Sequence, residues 1–102
     1  MQEKRRHPRV TIRLPITCEI AGEPSLSGLV IDLSMGGLYI EAERTPPFGT
    51  NLTIVGDFPG APGLRLPSVV RWAKPGGFGV QFGLLGARVT HVLAGLVQKQ
   101  KV

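Results

Sequence analysis

Cysteine, aromatic and acidic residues are all scarce in this 102-residue chain, and it has no long apolar run. Cys18 is the one cysteine, so neither an intrachain disulfide nor a cysteine-rich zinc site can form, which fits a reducing compartment. No stretch approaches the roughly 18 apolar residues that suggest a membrane span. The first eight residues are basic but are not followed by the apolar stretch of a signal peptide, because residues 10–20 alternate and are interrupted by Arg13 and Pro15. These absences predict a soluble cytoplasmic protein with no membrane insertion.

Catalytic and metal chemistry is equally poorly provided for. His7, His91 and Cys18 have no metal-ligand spacing, so no metal is expected. Ser34, His91 and Asp32 are the residue types of a hydrolytic triad, but no G-x-S-x-G elbow exists, and Asp32 and Ser34 are strand neighbours rather than flanking an imidazole. The run Gly76-Gly77-Phe78-Gly79 precedes a strand and has no Lys-Ser/Thr after it, so it reads as a hairpin turn rather than a phosphate cradle. The chain is therefore expected not to be an enzyme. With six aromatics in all, Trp72 and Phe78 are read as core packing before base stacking.

What the chain does have is glycine, proline and arginine. Fourteen glycines and nine prolines without a period indicate many turns between short elements and favour an all-β fold. Val10, Ile12, Leu14, Ile16, Cys18 and Ile20 recur at every second position, as on a half-buried strand. Leu29, Ile31 and Leu33 begin a second alternating run, which Gly36-Gly37 breaks as a bulge or tight turn, and further strands are predicted over 38–42, 51–55, 64–73 and 78–82. The Gly- and Pro-rich stretch 56–63 reads as a mobile loop. The period then changes. Leu85, Val89, Val92, Leu93, Leu96 and Val97 fall at helical spacing, which predicts an amphipathic helix over 85–99 packed on the barrel, with a homodimer interface as the competing use of its stripe. The predicted organisation is one domain over 1–102: a flexible basic arm at 1–9, a barrel at 10–83 and the helix.

The net charge is +5, and Lys4, Arg5, Arg6, Arg9 and Arg13 place five cations within the first thirteen residues. Such an arm attracts phosphate-bearing partners. In Asp32-Leu33-Ser34 the two polar side chains share one face of a strand; they either converge on a ligand or merely cap a turn. An arginine fork fits the O6/N7 edge of guanine or a phosphate, and a carboxylate can accept from guanine's opposite edge. Arg5 and Arg9 would lie roughly 13 Å apart on an extended arm, and a turn at Pro8 would bring both to one ligand.

The arm Arg5-x-x-x-Arg9, the turn Asp32-x-Ser34-x-x-Gly37, the strand spacing, the stretch Gly77-Phe78-Gly79-Val80-Gln81-Phe82 and the terminal helix together resemble the PilZ domain family across nearly the whole chain. The resemblance implies an all-β fold, a six-stranded antiparallel barrel with one C-terminal amphipathic helix, and a receptor for cyclic di-GMP. By that likeness Arg5 and Arg9 contact guanine and phosphate, Asp32 and Ser34 hydrogen-bond guanine edges, and Gly37, with Gly36 beside it, keeps the turn open beneath the ligand. Arg6 is an additional phosphate or stacking contact, and Lys4 bears on whether one or two ligands bind. The expected mechanism is ordering of the arm over the ligand, with the new surface recognised by a downstream partner protein on another chain. Two other readings remain: a nucleotide-independent protein adaptor, and a small basic barrel for single-stranded nucleic acid. The short cationic arm disfavours the latter, which needs a longer track.

Overall fold

The computed structural model describes residues 9–100. Lys4, Arg5, Arg6 and His7, and with them the expected flexible arm apart from Arg9, lie outside the described residues. Six strands, β1 (Val10–Glu19), β2 (Leu26–Leu33), β3 (Gly37–Glu41), β4 (Asn51–Phe58), β5 (Ala61–Lys74) and β6 (Gly77–Phe82), precede a single helix, α1 (Ala87–Gln100). All pairings are antiparallel, and the strands close into a barrel in the order β1-β2-β3-β6-β5-β4. Closure pairs each sheet edge with another strand, which leaves the inner face as the one apolar surface to fill.

Alternating side chains fill the barrel. Ile16, Cys18 and Ile20 of the first run point inward with Val30, Leu33, Leu38, Ile40, Ile54, Leu66, Val70 and Phe78. Leu93, Leu96 and Val97 of α1 belong to the same buried cluster, and Val89 and Val92 pack against it. The helix is thus held by its apolar stripe, each buried side chain being worth about 1.5–3 kcal/mol. The stripe is spent on the barrel of the same chain. Among the described residues no helix is long and apolar enough to cross a membrane.

Register shifts interrupt the strict period of two in the β1–β2, β2–β3, β4–β5 and β5–β6 pairs, and two stretches need comment here. Between Val30 and Asp32 the β2–β3 register slips, so Ile31 is an extra residue on β2. The bulge makes Val30 and Leu33 the buried pair, while Leu29 and Ile31 are only half-buried. The second stretch is 56–63, expected as a loop. There β4 and β5 run on to a two-residue connection, with Phe58 paired to Ala61 across Pro59-Gly60. Proline followed by a glycine at φ 77° is the signature of a type II turn, which lets the strands continue to the tip. Phe58 is buried, and the Asp57 carboxylate accepts a hydrogen bond from the Gly63 amide at 2.8 Å, so the tip is anchored on both sides.

Candidate functional site

The bulge at Ile31 has a local consequence. It turns Asp32 to the outer face, opposite Thr11 on β1 and Tyr39 on β3. Arg9, immediately before β1, brings its guanidinium to 3.6 Å from the Asp32 carboxylate. Both side chains remain partly exposed, so this is a weak, screened pair rather than a structural bolt. The two sequence motifs therefore meet at their nearest ends.

Chain reversal follows immediately. The Ser34 hydroxyl oxygen accepts hydrogen bonds from the Gly36 and Gly37 amides at 3.1 and 3.2 Å, and the Ser34 amide donates to the Gly37 carbonyl at 2.9 Å. Ser34 thus shapes the turn with its own oxygen. The Phe82 amide donates to the Gly36 carbonyl at 2.9 Å, tying the turn to the end of β6. Gly37 is needed for close approach: a Cβ there would sit 2.0 Å from the Val80 carbonyl oxygen, inside the β3–β6 ladder.

The wall of the site comes from β5 and β6. Here β5 carries a second bulge, because the register slips between Val70 and Trp72 and leaves Arg71 as the extra residue. The bulge sends Arg71 and Trp72 to the same outer face. Trp72 lies flat over Gly79, where a Cβ would come within 2.3 Å of the indole Nε1. Its ring stacks on Tyr39 with centroids 5.3 Å apart and planes 13° from parallel. The Lys74 ammonium sits 5.6 Å from the Tyr39 ring and 5.9 Å from the Trp72 ring. The result is a flat aromatic platform across three strands, flanked by cations.

Arg9, Asp32, the Ser34–Gly37 turn, Arg71 and Trp72 line one groove of about 260 Å³. Of the residues singled out from sequence, Arg9, Asp32, Ser34, Gly36 and Gly37 are brought together there, whereas Lys4, Arg5 and Arg6 lie outside the described residues. Sequence reasoning missed Arg71 and Tyr39 and assigned Trp72 to the core. Phe78 is buried as expected, but Trp72 is 41% exposed. The available signal was the alternation Gly77-Phe78-Gly79, which puts one ring inside and leaves the outer face bare for another. Among the described residues no cluster of His, Cys, Asp and Glu is arranged to hold a metal ion.

Chemically, the groove offers a guanidinium and a carboxylate for polar edges and a π surface for a planar ring. A family model described as the PilZ domain matches residues 3–98. Among solved structures, the PilZ domain of YcgR from Escherichia coli, described with c-di-GMP, superposes with a TM-score of 0.82 at 14% identity, covering 97% of this chain and 92% of that one. The PilZ domain of CeSA from a cellulose-synthesizing bacterium gives 0.74 at 21% identity, covering 93% and 99%. The Bacillus subtilis inhibitor of motility MotI/DgrA gives 0.79 at 14% identity over 98% of this chain and 52% of that one. At such identities these likenesses speak to the fold. No curated protein matches the sequence.

Proposed function

The chain belongs to the PilZ domain family, and from that premise we propose that it is a receptor for cyclic di-GMP, a ring of two guanosines joined by two phosphodiesters. The observation that carries the reading is the convergence of Arg9, Asp32 and Trp72 on one groove. The Asp32 carboxylate accepts from the adjacent N–H donors of a guanine, the Arg9 guanidinium leaves its long contact with Asp32 for the O6/N7 edge or a phosphate, and the indole stacks on the base. Ser34 keeps the turn in shape, and its hydroxyl, which donates a long 3.4 Å bond to the Gly37 carbonyl, can turn that proton to the ligand. YcgR and the Borreliella burgdorferi PlzA protein are both described in complex with c-di-GMP, which supports the ligand class.

The same reading extends to the segment before Arg9. Arg5 and Arg6 precede Arg9 by four and three residues, close enough in sequence to reach the same groove when the segment folds over bound dinucleotide. Ordering of that segment is the switch, and the closed surface is what a partner protein recognises. Lys4, the residue before Arg5 in sequence, is the position proposed to bear on whether a second ligand stacks on the first.

Isothermal calorimetry with cyclic di-GMP tests the proposal on the wild type, Arg9→Ala and Asp32→Ala. A lost charged hydrogen bond costs about 1.5–3 kcal/mol, or roughly ten- to a hundredfold in affinity. Absence of saturable binding by the wild type at micromolar ligand refutes the receptor reading, and undiminished binding by Asp32→Ala refutes the guanine-edge assignment. Stoichiometry of the wild type against Lys4→Ala checks the second ligand, and amide exchange over residues 1–9 with and without dinucleotide checks the switch. An oligonucleotide that displaces the dinucleotide, with a steep salt dependence of its own, would instead favour the nucleic-acid reading.

A further inference from the structure

Resting on that receptor reading, we propose that Arg71 is a further cationic contact for the dinucleotide, from β5 rather than from the N-terminal segment, and that Phe48 is its parking place in the free protein. Two observations meet at this residue. The bulge in β5 puts Arg71 in the wall of the groove beside Trp72. Its guanidinium carbon also lies 5.9 Å from the centroid of the Phe48 ring, a cation–π contact with a side chain in the β3–β4 connection that is itself 70% exposed.

The two contacts differ in strength, and the difference sets the direction of movement. An exposed cation–π contact is worth a few-fold in an equilibrium, whereas a guanidinium bonded to phosphate is worth ten- to a hundredfold. Arg9 already has the Asp32 carboxylate at 3.6 Å. Among the described residues no carboxylate lies within salt-bridge distance of Arg71. Among the described residues that line the groove, Arg9 is thus paired with a carboxylate and Arg71 is held by a ring. When a base stacks on Trp72, the adjoining phosphodiester carries negative charge next to the neighbouring residue, and Arg71 swings from Phe48 onto it. The Phe48 ring is left uncovered as a result.

A double-mutant cycle read by calorimetry with cyclic di-GMP tests this. Arg71→Gln should weaken binding by about tenfold or more. Phe48→Leu, which keeps an apolar side chain at an exposed position but removes the ring face, should tighten binding about two- to fivefold, because the guanidinium no longer has to be released. In the Arg71→Gln background the same Phe48→Leu change should have no effect. In the free protein, Phe48→Leu should move the Arg71 Nε–H resonance, and in the bound protein it should not. Wild-type affinity in Arg71→Gln, unchanged or weaker affinity in Phe48→Leu, or tightening that persists without Arg71 overturns the inference and leaves the receptor reading standing. Failure of the wild type to bind at all overturns both.

Discussion

Gly79→Ala is the sharpest probe of how the site is built. The added methyl would lie 2.3 Å from the Trp72 Nε1, and ordinary contact begins near 3.4 Å, so the indole must move by about 1.1 Å or swing away. The ring is 41% exposed and can leave toward solvent, so the barrel beneath need not distort. What is lost is the offset stack on Tyr39, worth about 0.5–1.5 kcal/mol, together with much of the Lys74 contact, about 0.5–1 kcal/mol at an exposed site. The expected destabilisation is about 1–2 kcal/mol in urea unfolding, with a red shift in native emission, since Trp72 is the sole tryptophan. Affinity for cyclic di-GMP should fall as well. In a Trp72→Leu background the substitution should lose most of its effect on stability. Unchanged emission and stability in Gly79→Ala, or an equal penalty without the indole, would refute the account of β6 as a bare surface reserved for that ring.

Gly37→Ala should be costlier, because the obstacle 2.0 Å from its Cβ is the backbone carbonyl of Val80, which cannot rotate away; we expect a loss above about 3 kcal/mol, seen as a drop in Tm. Ser34→Ala removes the acceptor of the Gly36 and Gly37 amides and should cost about 1–2 kcal/mol, with faster amide exchange confined to those two glycines. Burial pushes the Cys18 thiol up from its ordinary 9.0 to about 11. Between those values the unfolded chain releases a proton that the folded chain keeps, so the Cys18 contribution to stability should be constant below pH 9.0 and fall above it, by about 2–3 kcal/mol at pH 11. Cys18→Val should abolish that part of the alkaline loss.

The strands were readable because their pattern is local. The alternation from Val10 to Ile20 and the breakers at Gly36-Gly37 and Lys74–Gly77 report on neighbours in sequence, and the structure places strands and turns there. The bulges at Ile31 and Arg71 were not readable, because an extra residue is defined by the partner strand and not by its own. Counting by twos from Leu29 therefore put Ile31 on the inner face, and the same blindness hid that Arg71 and Trp72 share an outer one. Pairing of β3 with β6 and of β1 with β4 likewise joins segments far apart in sequence, so no local period announces it. Pro59-Gly60 escaped the sequence for another reason: glycine and proline over 56–63 read as loop formers, yet in the order Pro-Gly they fit a two-residue type II connection between paired strands.

The Ser34–Gly37 turn is tied by the serine oxygen, by the Phe82 amide and by the tight seam with Val80. That half of the groove is therefore a fixed template, and its contribution to association is a single docking event whose rate rises in proportion to ligand concentration. In rapid mixing experiments followed by the indole, any later phase whose rate is independent of ligand concentration has to originate elsewhere in the molecule.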